Sequence, residues 1–157
     1  MDAFVIFKYL HIASMFFAVA LALSGEIVVR RIAQSADVRA IRIAIERMRP
    51  IEGPLATGLF LAGAAFGFVA AVTGQIDLLR PWLIAAYAAF LGAMVLGITI
   101  TDPWVGRLER AAAASPDGAA SPELLAVIGE PRARMATWAL QAIIALIVFL
   151  MVVKPLG

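Results

Sequence analysis

Apolar residues run through this chain in four long stretches, separated by connections that collect nearly all of the charge. Tyr9 to Gly25, Pro54 to Gly74, Pro81 to Thr101 and Met135 to Val153 span 17, 21, 21 and 19 residues without a charged side chain. A helix needs roughly 20 apolar residues to cross a bilayer. The first stretch reaches that length by extending to both sides, with Lys8 free to carry its ammonium outward along its own methylenes. The pattern predicts an all-α fold, a four-helix transmembrane bundle. It forms a single integral membrane domain over 1–157, with spans at about 4–29, 54–74, 81–101 and 135–153.

The connections carry shorter signals. Val38, Ile41, Ile45 and Met48 recur at helical spacing among arginines. This reads as an amphipathic helix lying on the inner membrane surface, or as a continuation of the first span. Pro50, Gly53 and Pro54 then punctuate the chain before span two. Asp102-Pro103 has the form of an N-cap and first-turn pair opening a short helix through Ala114. The small polar run 115–120 reads as mobile, and Ser121-Pro122-Glu123 caps another short helix ending near Gly129.

Composition sharpens the class. Hydrophobic residues make up 63% of the chain and the mean hydropathy is +0.95, more than a soluble core of this size requires. There is no cysteine, which excludes disulfides, thiolate metal sites and iron–sulfur clusters. Asp2 and the lack of an early positive cluster predict that the first stretch is a span rather than a cleaved signal peptide.

The charge is unevenly placed. Arg30, Arg31, Arg39, Arg42, Arg47 and Arg49 follow the first stretch, and Arg107, Arg110, Arg132 and Arg134 follow the third. The other side holds only Lys8, Arg80 and Lys154. That asymmetry predicts an inner (plasma) membrane protein with both termini away from the cytoplasm. The arginines suit topology and lipid headgroups; no aromatic residues interleave them as a nucleic-acid surface would require. Trp82, Trp104 and Trp138 fall near span ends, where interfacial anchors belong.

Within the spans, small residues form stripes. Ala18, Ala22 and Gly25 lie on span one, Gly63, Gly67 and Ala71 on span two, and Ala85, Ala89, Ala93 and Gly97 on span three. Such stripes let helix backbones approach closely in lipid. The Gly63/Gly67 face suits pairing between two copies as readily as within one, so a homodimer is compatible with it.

His11 is the only imidazole in the chain and sits inside the first apolar stretch. An ionisable side chain at membrane depth points to function, with a partner or ligand to be named. At 1.5 Å per residue His11 lies roughly 10 Å past Phe4, and Tyr87 roughly 9 Å past Pro81 from the same side. A hydrogen bond from His11 to Tyr87 or to a backbone carbonyl is the packing alternative. The functional one is axial ligation of haem iron, with the sixth position taken by Met, Tyr, water, nothing, or His11 of a second copy. Met15, one turn from His11 on the same face, also makes a soft Met/His pair for Cu(I), with Tyr9 or Met151 as further donors.

Several segments together resemble a known group. Lys8-Tyr9-Leu10-His11-Ile12 with Phe16-Phe17 and Arg30-Arg31 is similar to the opening of the HemJ/CopD-like small membrane proteins. Glu46 to Ile51 leading into Pro54 to Gly58 resembles their entry to span two, and Pro81-Trp82-Leu83 their entry to span three. Gly129-Glu130-Pro131 and the ending Val152-Val153-Lys154-Pro155-Leu156 resemble the close of the HemJ type. A related, uncharacterised group of four-span proteins fits the same segments. For the HemJ type the resemblance implies haem b, His11 as its axial ligand, and oxidation of protoporphyrinogen IX. It also implies Arg49 as a cationic partner for a propionate-like carboxylate, although Arg49 belongs to the opposite membrane face from His11. Arg80, Lys8 and Lys154 are better placed for propionates near His11. The expected function is therefore a membrane haem b protein with a redox role. The alternatives are a non-enzymatic membrane scaffold packed through small-residue faces, or the handling of copper or a small molecule.

Overall fold

The computed structural model describes residues 2–155, and every element in that range is helical. Where one domain was expected, the chain divides into two compact units, 1–77 and 78–157. Each is an antiparallel helical hairpin.

The first unit pairs α1 (Ala3–Gln34) with α2 (Val38–Thr73). Asp2 caps α1 by accepting from the Phe4 N–H at 3.2 Å, and Asp37 caps α2 by accepting from the Ala40 N–H at 3.0 Å. Between them lies a turn in which Ala36 takes a left-handed φ of 54°. The expected surface helix is absent as a separate element. Val38, Ile41 and Ile45 do form an apolar face, but it is buried, together with Ala33 at the end of α1. Facing a second helix, that stripe does not need lipid. The helix also runs unbroken through Pro50 and Pro54. Each proline removes one backbone donor and crowds the carbonyl four residues back, a cost of about 3 kcal/mol in an unsupported helix. Here the buried stripe on one side of the prolines and the span on the other hold the helix together.

The second unit follows the same plan. α3 (Pro81–Leu96), a five-residue π turn (Gly97–Thr101) and α4 (Asp102–Ala114) form one continuous rod, while α5 (Pro122–Ile128) and α6 (Pro131–Val153) form the return. Asp102 is not an N-cap. Its backbone is helical, and its N–H reaches five residues back to the Gly97 carbonyl, so the expected helix start is a π bulge inside a longer helix. Ser121 does cap α5, accepting from the Leu124 N–H at 3.2 Å. Ser115, expected to be mobile, is buried: its hydroxyl donates to the Ala111 carbonyl and accepts from the Ser121 N–H.

Trp104, Leu108, Ala112 and Leu124 make the tightest part of this unit, each at most 1% exposed. The Trp104 indole donates to the Val127 carbonyl at 2.9 Å, tying α4 to α5. Arg107 bonds Glu130 at 2.6 Å, but both side chains are partly exposed, so the pair contributes at most about 1 kcal/mol. Of the three tryptophans expected as interfacial anchors, only Trp138 is exposed; Trp82 and Trp104 are buried. Gly106 in α4 has open space where a Cβ would stand. Gly106→Ala is expected to raise stability by about 0.5–1 kcal/mol through helix propensity alone, measured as a higher thermal midpoint in detergent.

All four long helical rods, 3–34, 38–73, 81–114 and 122–153, are long and apolar enough to cross a membrane. Large apolar side chains such as Phe16, Phe17, Leu61, Phe68, Leu91 and Ile98 are exposed along them. That surface suits a multi-pass membrane protein in contact with lipid, since water would penalise it.

Candidate functional site

The site is built where α1 and α2 come closest. Large side chains on one helix enter gaps left by glycine on the other, in antiparallel order. Phe4 lies on Gly74, His11 on Gly67, Met15 on Gly63, and Glu52 of α2 lies on Gly25 of α1. A Cβ at Gly67 would stand 2.7 Å from His11 Nδ1 and 2.9 Å from its Cε1. At Gly63 it would stand 3.1 Å from Met15 Cε and Cγ. Real side chains do not tolerate the first of these distances, so glycine is a condition of the close approach at Gly67. The Gly63/Gly67 face proposed for a second copy is therefore occupied within the hairpin itself.

His11 is half-buried and turned toward α2. Its Nδ1 lies 2.7 Å from the Gly63 carbonyl oxygen. A carbonyl only accepts, so Nδ1 must carry the proton and donate. Nε2 is the ring nitrogen that this bond does not engage. The three ring atoms nearest the Gly67 position are Nδ1, Cε1 and Cγ, so the Nε2 edge is the one turned away from that glycine. Of the two partners expected for the imidazole, the backbone carbonyl is the one found. A histidine that donates one ring N–H to a carbonyl and presents the other nitrogen bare has the arrangement common to metal-bound imidazoles.

The other expected site residues are distributed as follows. Met15 shares the His11 face, but its sulfur is seated in the Gly63 gap, with Sδ 3.2 Å from where a Cβ would be. Tyr9 is 69% exposed, on the side of α1 away from α2. Arg49 is exposed on α2, about 21 Å along the helix from Gly63 at 1.5 Å per residue. Tyr87 and Arg80 belong to the second unit, Tyr87 exposed on α3 and Arg80 at its N-cap. No group of three or more His, Asp or Glu side chains that would hold a metal ion occurs among the described residues.

Two features lay outside the sequence reading. One is a polar layer where the first hairpin leaves its apolar stretch: the Glu26 and Arg30 side chains pair at 3.9 Å while only 9% and 16% exposed. The Glu52 carboxylate lies on Gly25 beside them. The i,i+4 spacing of Glu26 and Arg30 was visible, but their burial depends on α2. The second is which carbonyl His11 meets: a backbone acceptor was expected, but no residue type singles out Gly63. Compared with protein-family models, with characterised proteins and with solved structures, the chain matches none.

Proposed function

We propose that this is a multi-pass inner-membrane protein that binds haem b through His11 Nε2 and serves a redox role, as an electron-transfer module or an oxidase. The observation that carries this reading is the Nδ1–H to Gly63 carbonyl bond, which holds the ring in one orientation and leaves Nε2 as the ring nitrogen not engaged by it; the same bond also serves the packing alternative. Accepting that proton also makes the carbonyl raise the basicity of the opposite nitrogen, which favours ligation. The protein's part is to orient the imidazole, to stop it rotating by clamping it on Gly67, and to exclude water with the apolar residues around it. Bound there, haem would supply one-electron chemistry. The arginine-rich connections favour a topology with both termini on the non-cytoplasmic side.

Protein purified from haem-replete cells is expected to show a Soret band. His11→Ala should abolish it, and Met15→Leu should leave it in place. A colourless wild-type preparation sinks the reading. It would favour the second one, a non-enzymatic membrane subunit, which the glycine-lined packing between α1 and α2 supports on its own. Copper handling has less behind it, because Met15 is engaged in packing and Tyr9 faces away.

A further inference from the structure

At the end of the second hairpin where α3 begins and α6 finishes, donors and positive charge gather, and no carboxylate is seen to pair with them among the described residues. Pro81 occupies the first turn of α3, and no side chain caps that terminus. The Leu83 and Ile84 N–H groups both turn back to the Arg80 carbonyl. The Trp82 side chain is only 5% exposed, yet its indole Nε1 has no hydrogen-bond partner among the described residues. Lys154 closes α6 in a left-handed conformation, with φ 49°, and places its ammonium 5.7 Å from the centre of the Trp82 ring. Arg80 and Lys154 are both exposed, and neither has a carboxylate partner among the described residues. Asp77, the nearest acid in sequence, already has an interaction of its own.

A buried indole N–H left unpaired costs about 1–3 kcal/mol. The positive end of the α3 dipole adds to the same deficit of negative charge. The missing group is therefore an anionic acceptor with several oxygens. We infer that this corner is a binding site for the phosphate of an anionic phospholipid. The helix N-terminus and Trp82 supply neutral donors, and Arg80 and Lys154 supply charge. Free phosphate offers the same oxygens, but the site lies at the terminus of two rods able to cross a bilayer. A lipid headgroup is held at that level by its own acyl chains. The Lys154 side chain, which lies over the ring face, would have to turn outward to admit the headgroup.

The test is native mass spectrometry of the full chain released from detergent containing phosphatidylglycerol or phosphatidylcholine. The wild type is expected to retain one phosphatidylglycerol in preference to phosphatidylcholine. Retention should fall about tenfold or more in Arg80→Ala/Lys154→Ala, as expected for the loss of two charge-assisted contacts. Trp82→Phe keeps the ring and removes the N–H, and should lower retention roughly threefold to tenfold. Helical circular dichroism identifies any variant that fails to fold, and the two sets of substitutions are independent of one another. Equal retention of the two lipids, or retention unchanged in the variants, overturns the proposal. So does displacement of the lipid by millimolar inorganic phosphate alone, which would assign the site to the free ion.

Discussion

Gly67→Val is expected to destabilise the first hairpin by about 3 kcal/mol and to remove the His11–Gly63 hydrogen bond. A Cβ alone would stand 2.7 Å from Nδ1. The atom it meets belongs to a rigid ring rather than to the free end of a flexible chain, so the helices must separate or the imidazole must leave. Both outcomes forfeit the carbonyl contact. The check is a double-mutant cycle on detergent-solubilised protein, read by SDS- or heat-induced loss of helicity. His11→Ala removes the obstructing ring, so most of the Gly67→Val penalty should vanish in the double variant, a coupling of about 2–3 kcal/mol. Simple additivity would show that the ring does not sit on Gly67. If haem is bound, the same substitution should also weaken the Soret band while leaving every potential ligand in the chain.

Trp104→Ala should cost the second unit about 3–5 kcal/mol, the largest effect of any single truncation considered. The indole is 1% exposed, beside the fully buried Leu108, Ala112 and Leu124. Truncation opens a cavity at the junction of α4 and α5 and strips the Val127 carbonyl of its 2.9 Å donor. Trp104→Phe separates the two contributions: it retains most of the volume and should cost about 1–2 kcal/mol, mainly for the orphaned acceptor. Thermal unfolding followed by circular dichroism measures both. Equal losses for the alanine and phenylalanine variants would mean that the hydrogen bond, and not the packing, dominates.

The four apolar stretches were legible because nothing but helix satisfies the backbone at that hydropathy and length. The ends of the helices were less so. Pro50, Pro54 and Asp102-Pro103 carry strong local signals for breaks, yet the helices continue through all of them. In the first unit the reason is tertiary: Val38, Ile41 and Ile45 bury their stripe beside α1. In the second, a π turn absorbs the change in hydrogen bonding ahead of Pro103. The glycines at 63 and 67 were recognisable as a close-packing face. Which side chains would fill them was not, because that depends on the antiparallel register, and composition does not encode it. For the same reason His11 could be singled out by its type and depth, while its partner, a main-chain oxygen, could not. Trp82 and Trp104 near span ends are buried against neighbouring helices rather than exposed, since an amphipathic ring there can pack inside a helix pair as well as face the interface.

The brevity of the turn around Ala36 has a genetic corollary. Only Ser35, Ala36 and Asp37 separate the two helices of the first unit, and the chain has no slack there to absorb an insertion. One residue added within α2 between Ile45 and Ala56 would swing everything beyond it by about 100° around the helix axis. The notches would then face lipid while the imidazole met a methyl or a phenyl group. Lineages of this sequence should accept exchanges of one aliphatic for another freely in that stretch, and reject almost any frame-preserving change in its length.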